Sequence, residues 1–135
     1  MATVMIMPDW LDEISVDRYR PMARLLTEND FEFLRSQPGF QPHMAAELRL
    51  QRCRIFRGYL RSLETDFDLV CAALSWLVPQ MDLRRYRILF AVGMAAVRCR
   101  LWLYRWNLGG VNPATIVQLF ETVRRELRVP LTAVR

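Results

Sequence analysis

From residue 43 to residue 77 the chain contains no proline, and its apolar residues recur at spacings of 3, 4 and 7. Leu48, Ile55, Phe56, Tyr59, Leu63, Phe67, Val70, Leu74 and Leu77 share one side, while His43, Glu47, Arg54, Arg61, Thr65 and Asp68 fall opposite. That period belongs to one face of an α-helix. At the standard rise such a helix is ~50 Å long. A rod of that length, apolar along one side, must fold back against another element of the same kind.

The next residues supply that element. VPQM (78–81) reads as a turn, and Asp82 is placed to cap a second helix over 83–107, ~37 Å long. Gly109 and Gly110 are expected to stop it. Asn112 then caps a third helix, 113–127, with Pro113 at its first position. Ile116, Leu119, Phe120, Val123 and Leu127 form its apolar stripe; Pro130 is expected to end it, leaving LTAVR as a loose tail. Upstream, 9–36 suits two or three short helices, with Pro21 in a first turn and Thr27 and Asp30 spaced like a capping box ahead of Phe31, Phe33 and Leu34. QPGFQP (37–42) breaks the chain before the long helix. Strand-length alternation is almost absent. The sequence therefore predicts one all-α domain over 1–135. Its centre is a long antiparallel helical hairpin, 43–77 and 83–107, with short N-terminal helices and a C-terminal helix packed across it.

On a helical wheel the second helix shows an arginine ridge. Arg87, Arg98 and Arg105 fall within about 20° of one another, with Arg84 and Trp102 at the edge. Tyr86, Phe90, Val97, Leu101, Tyr104 and Leu108 cluster elsewhere, and Val92, Ala96, Cys99 and Leu103 widen that apolar arc, which is expected to be the buried face. Arg100 points into the arc. A buried unpaired charge is costly, so Arg100 is expected to pair with Glu64, which a simple antiparallel register brings within a turn of it, or with an N-terminal acid. Asp66 turns toward the apolar side of the first helix and is a second candidate for an internal ion pair. Gly93, in mid-helix, costs ~1 kcal/mol relative to alanine, and a close helix–helix contact is the usual reason.

Charge narrows the chemistry. All 19 basic residues are arginine. Without lysine there is no Schiff-base chemistry and no phosphate-loop lysine. Residues 9–32 carry seven acids, Asp9, Asp12 and Glu13 among them, against three arginines, whereas 33–135 carry sixteen arginines against seven acids. The acidic segment is expected to fold against a basic helix of the same chain. Arg49, Arg52, Arg54, Arg57 and Arg61 crowd one stretch of the first long helix, and of these Arg49, Arg54, Arg57 and Arg61 join the ridge as a candidate polyanion or partner surface.

Catalysis and cofactors find little support. His43, the single histidine, lies one turn from Glu47, which makes half of a metal site with the other half missing, so no metal and no cofactor are expected. The acids of ETDFD (64–68) are expected to balance nearby arginines. Cys53, Cys71 and Cys99 match no zinc or redox spacing and read as reduced thiols in or near the core. The opening MATVMIMPDW lacks a basic region and a long apolar run, so a cytoplasmic location without a signal peptide is expected. The apolar runs 69–78 and 88–97 are too short to span a bilayer; with the arginines at the tip between them they would permit peripheral membrane contact at most.

Hydrophobic residues make up 53% of the chain, more apolar surface than a small monomer easily hides. The expectation is a non-catalytic helical protein that works by protein–protein interaction, as a homo-oligomer or as a subunit with a protein partner. The alternative is polyanion binding, to RNA, DNA or an anionic membrane surface, through the arginine faces.

Overall fold

The structure is a computed structural model that describes the backbone of residues 16–133 and the side chains of 17–126. Asp9, Asp12, Glu13, the opening decapeptide and the side chain of Leu127 lie outside the described residues. The described chain forms a 3₁₀ turn, Val16–Tyr19, and five helices: α1 Met22–Leu25, α2 Asn29–Arg35, α3 Pro42–Leu77, α4 Arg84–Arg105 and α5 Ala114–Ala133. No strand occurs among the described residues.

α3 has 36 residues and no break. It opens with Pro42 at the first position, after Gln41 in an extended conformation, where the missing proline N–H would have had no helical partner. Cys53, Phe56, Leu60, Leu63, Phe67, Val70 and Leu74 form its buried stripe. Ile55, expected on that stripe, is exposed, and Leu48, Tyr59 and Leu77 are only half-buried. α4 begins at Arg84 with Leu83, not Asp82, at the N-cap; Asp82, one residue ahead of the cap position, still accepts the Arg84 N–H on Oδ1 at 3.0 Å. The helix ends at Arg105, four residues before the first glycine. Asn107 takes the left-handed conformation, φ 61°. Its N–H donates to the Tyr104 carbonyl (2.8 Å) and that of Leu108 to the Leu103 carbonyl (2.9 Å), the paired bonds of a Schellman ending. Asparagine tolerates this conformation better than other side chains, so the glycines are free to shape the loop that follows.

α5 starts as expected: Asn112 Oδ1 accepts the Ala114 N–H at 3.0 Å. It then runs through Pro130 to Ala133 instead of ending there, so LTA belongs to the helix. Proline already holds a helical φ; its cost is one missing N–H bond and a ring crowded against the preceding turn. The expected capping box at Thr27 is absent. Thr27 Oγ1 donates back to the Arg24 carbonyl at 3.0 Å and finishes α1, and α2 starts without a side-chain cap.

α3 and α4 run antiparallel. Phe67 stacks on Phe90 with centroids 3.9 Å apart, Glu64 meets Arg98, and farther along Arg49 lies over Tyr104. The core is not a two-helix seam, however. α5 packs along both helices of the hairpin and against the 3₁₀ turn, with Ile116, Phe120 and Val123 fully buried. Tyr19 meets Phe120 edge-on at 5.8 Å. At Gly93 an added Cβ would sit 2.7 Å from Ile116 Cγ2, so the close contact expected there is with α5.

Candidate interaction surface

α4 carries two apolar stripes, and only one of them is in the core. Phe90, Met94, Val97, Leu101 and Tyr104 are buried against α3 and α5. Ile88, Val92, Ala95, Cys99, Trp102 and the C-cap Trp106 recur at spacings of 4, 3, 4, 3 and 4 and are all exposed. At 100° per residue the second stripe lies roughly opposite the first. Val92 is 63% exposed, Trp102 and Trp106 59% each, and Ile88 55%. Leu89, beside them, is exposed as well. The two indoles alone leave roughly 200–300 Å² uncovered, given about 150–250 Å² per large aromatic side chain. With their aliphatic neighbours the stripe matches or exceeds the largest apolar patch of an ordinary monomer, about 300–600 Å².

This corrects the expected orientation. Val92, Ala96 and Cys99 do not widen the buried arc, and Leu108, past the helix end, is 64% exposed. The physical reason is that α4 touches neighbours on one side only. The sequence signal was present, since α4 is apolar around most of its circumference, but a wheel does not tell which apolar side faces α5.

The arginine ridge borders this stripe on the side facing α3. Arg98 Nη2 lies 2.6 Å from Glu64 Oε2, with both side chains about half exposed. Arg87 and Arg98 line a shallow groove with Glu64 and Asp68. Arg84 and Arg105 are exposed, and the Arg105 guanidinium lies 5.7 Å from the Trp106 ring centroid. On α3, Arg54, Arg57 and Arg61 are exposed. Arg49 is not a surface residue. It is only 6% exposed, with its guanidinium between the Phe31 and Tyr104 rings, 4.7 Å from each centroid. Cation–π contact on both faces replaces the phosphate that an exposed arginine would seek. Arg49 Nη1 and the Tyr104 hydroxyl have no hydrogen-bond partner.

The internal ion pairs are redistributed too. Glu64 is taken by Arg98, and Arg100 is exposed at a cleft between α4 and the start of α5, lined also by Gly93, Thr115 and Ile116. No burial forces Arg100 to find a carboxylate. Asp66 is buried as expected, but its partners come from the N-terminal turn: the Tyr19 hydroxyl donates to Oδ2, and Arg18 Nη1 lies 3.1 Å from the same oxygen. Burial and the adjacent carboxylate push the Tyr19 phenol well above its ordinary range. Asp30 reaches Arg52 at 2.5 Å, so the acidic segment does meet the basic helix at this point.

His43 and Glu47 are both exposed at the start of α3, and no metal-holding cluster occurs among the described residues. Cys53 and Cys71 are buried, whereas Cys99 lies exposed on the outer stripe of α4, away from the core expected for it. Burial pushes the Cys53 thiol up and that of Cys71 up to about 11. Among the described residues no helix is long and apolar enough to cross a membrane. No family model matches the chain, and neither a curated protein nor a solved structure is significantly similar to it.

Proposed function

We propose that this chain is a non-catalytic interaction protein and that the outer stripe of α4 is its docking surface for another helical protein. The observation that carries the reading is the run Ile88–Val92–Ala95–Cys99–Trp102–Trp106, at heptad spacing and open to solvent. A helix exposes such a seam when a partner helix covers it. Three unpaired thiols suit a reducing, cytoplasmic setting. Because Cys99 lies on the stripe, its alkylation rate reports whether the face is covered. The rate is expected to fall several-fold in fresh host lysate or in concentrated protein, relative to dilute purified protein. Equal rates under all three conditions would end the reading.

Polyanion binding is the second reading, favoured by α4 carrying six arginines and no acid and by exposed Arg54, Arg57 and Arg61 on α3. It requires salt-sensitive retention on heparin that drops when Arg57 and Arg105 are changed to alanine. Weak retention that ignores those changes excludes it.

A further inference from the structure

We propose that the occupant of the α4 stripe is a second copy of this chain, its α4 antiparallel to the first about a dyad near residue 97. This rests on the reading of that face as a docking surface and names its partner. The stripe is symmetric in spacing about that point, and antiparallel pairing makes it self-complementary in size. Ile88 then lies opposite the partner's Trp106, Val92 opposite the partner's Trp102, and Ala95 opposite the partner's Cys99. Each indole faces a β-branched aliphatic side chain, and the two narrow layers fall together at the dyad, where the helices approach most closely. A parallel pair would instead crowd Trp102 and Trp106 against their own equivalents at one end. An isologous contact of this kind closes on itself and builds no filament.

The flanks agree. On one side Leu89, Ala96 and Leu103 extend the apolar strip, and antiparallel pairing sets Leu89 against the partner's Leu103. On the other side the rim is basic, with Arg84, Arg87 and Arg105 exposed; Arg98 is held 2.6 Å from Glu64, so each copy also brings a glutamate to that rim. A lipid surface needs no heptad register, so the alternating 4 and 3 spacing favours a helix as the occupant. The stripe is about 27 Å long. Two such faces bury on the order of 1,000 Å² in all, the lower bound for a specific interface, so a reversible dimer that forms in concentrated protein is expected.

Sedimentation of the native chain across a wide concentration series tests this. The average mass is expected to climb from one chain toward two. Ala95→Glu, at the narrowest layer, should weaken the dimer by about tenfold or more, equivalent to ~1.4 kcal/mol. Ala95 is exposed in the single chain, so the circular dichroism and melting temperature of the dilute variant should match those of the native chain, which separates lost pairing from misfolding. Orientation is read by mixing native chains with an Ala95→Cys/Cys99→Ala variant and adding a short bis-maleimide. Antiparallel pairing yields mostly mixed dimers; a predominance of like-with-like dimers overturns it. A native chain that stays monomeric while Cys99 is still shielded in lysate, or that binds phosphatidylglycerol vesicles until Ala95→Glu is introduced, overturns the second copy and leaves a docking face with a different occupant. A monomer whose Cys99 is never shielded overturns both.

Discussion

At position 93 the missing side chain decides how closely two helices approach. An added Cβ would come within 2.7 Å of Ile116 Cγ2, and that methyl sits on a β-branched carbon with little freedom to turn away. At Gly58, also within a helix, an added Cβ meets nothing within 4 Å. The same substitution should therefore have opposite signs at the two sites. Gly58→Ala is expected to stabilise the fold by ~0.5–1 kcal/mol through helix propensity. Gly93→Ala is expected to destabilise it by ~1–2 kcal/mol, because overpacking outweighs the same gain. Urea denaturation of the two variants measures both. The sequence showed that Gly93 needed a close neighbour but not which helix supplied it. Arg49 and Arg100 show the same limit. Both lie on helices rich in arginine, yet one is held between two rings and the other stands in water. Residue type and wheel angle do not separate these outcomes, since each depends on a side chain from another element.

Helix starts were legible because their chemistry is local. Asp82 and Asn112 each accept the N–H two residues on, at 3.0 Å, and both were identifiable from residue type and position alone. Asn112→Ala removes the bond at the start of α5, the helix that packs along both α3 and α4. A loss of ~1 kcal/mol is expected, seen as a lower melting temperature, with Asn112→Asp restoring most of it. Helix ends were less legible. Asn107 closes α4 ahead of two glycines, and α5 passes through Pro130. Glycine and proline mark where a helix can end without obliging it to end there. The two stripes of α4 repeat the lesson at larger size. Either face satisfies the period, so the pattern fixed the helix without fixing which side would meet the core.

Across the whole molecule, packing protects several groups that ionise only at high pH. Burial raises Cys71 from 9.0 to about 11 and also raises Cys53; Tyr104 is raised chiefly by burial as well. A group whose folded pKa lies above its unfolded value stabilises fully below the unfolded value, and that stability is lost as pH rises toward the folded one. Folding free energy should therefore hold to about pH 9 and then decline through about pH 11, with Cys71 contributing on the order of 2 kcal/mol to the change. Denaturation at either end of that window should show a smaller drop for Cys71→Ala than for the native chain. The sequence by itself determined that the chain is helical, where the long helices begin, and that more apolar surface exists than one core absorbs. Those properties follow from local periodicity, capping chemistry and composition, which each segment carries alone. Only the tertiary structure decided that α5 packs along both arms of the hairpin, that Asp66 is held by the N-terminal turn, and that one apolar side of α4 is left to water. Those depend on which of several equivalent faces meets a neighbour, and burial energy is set by the pair and not by either helix.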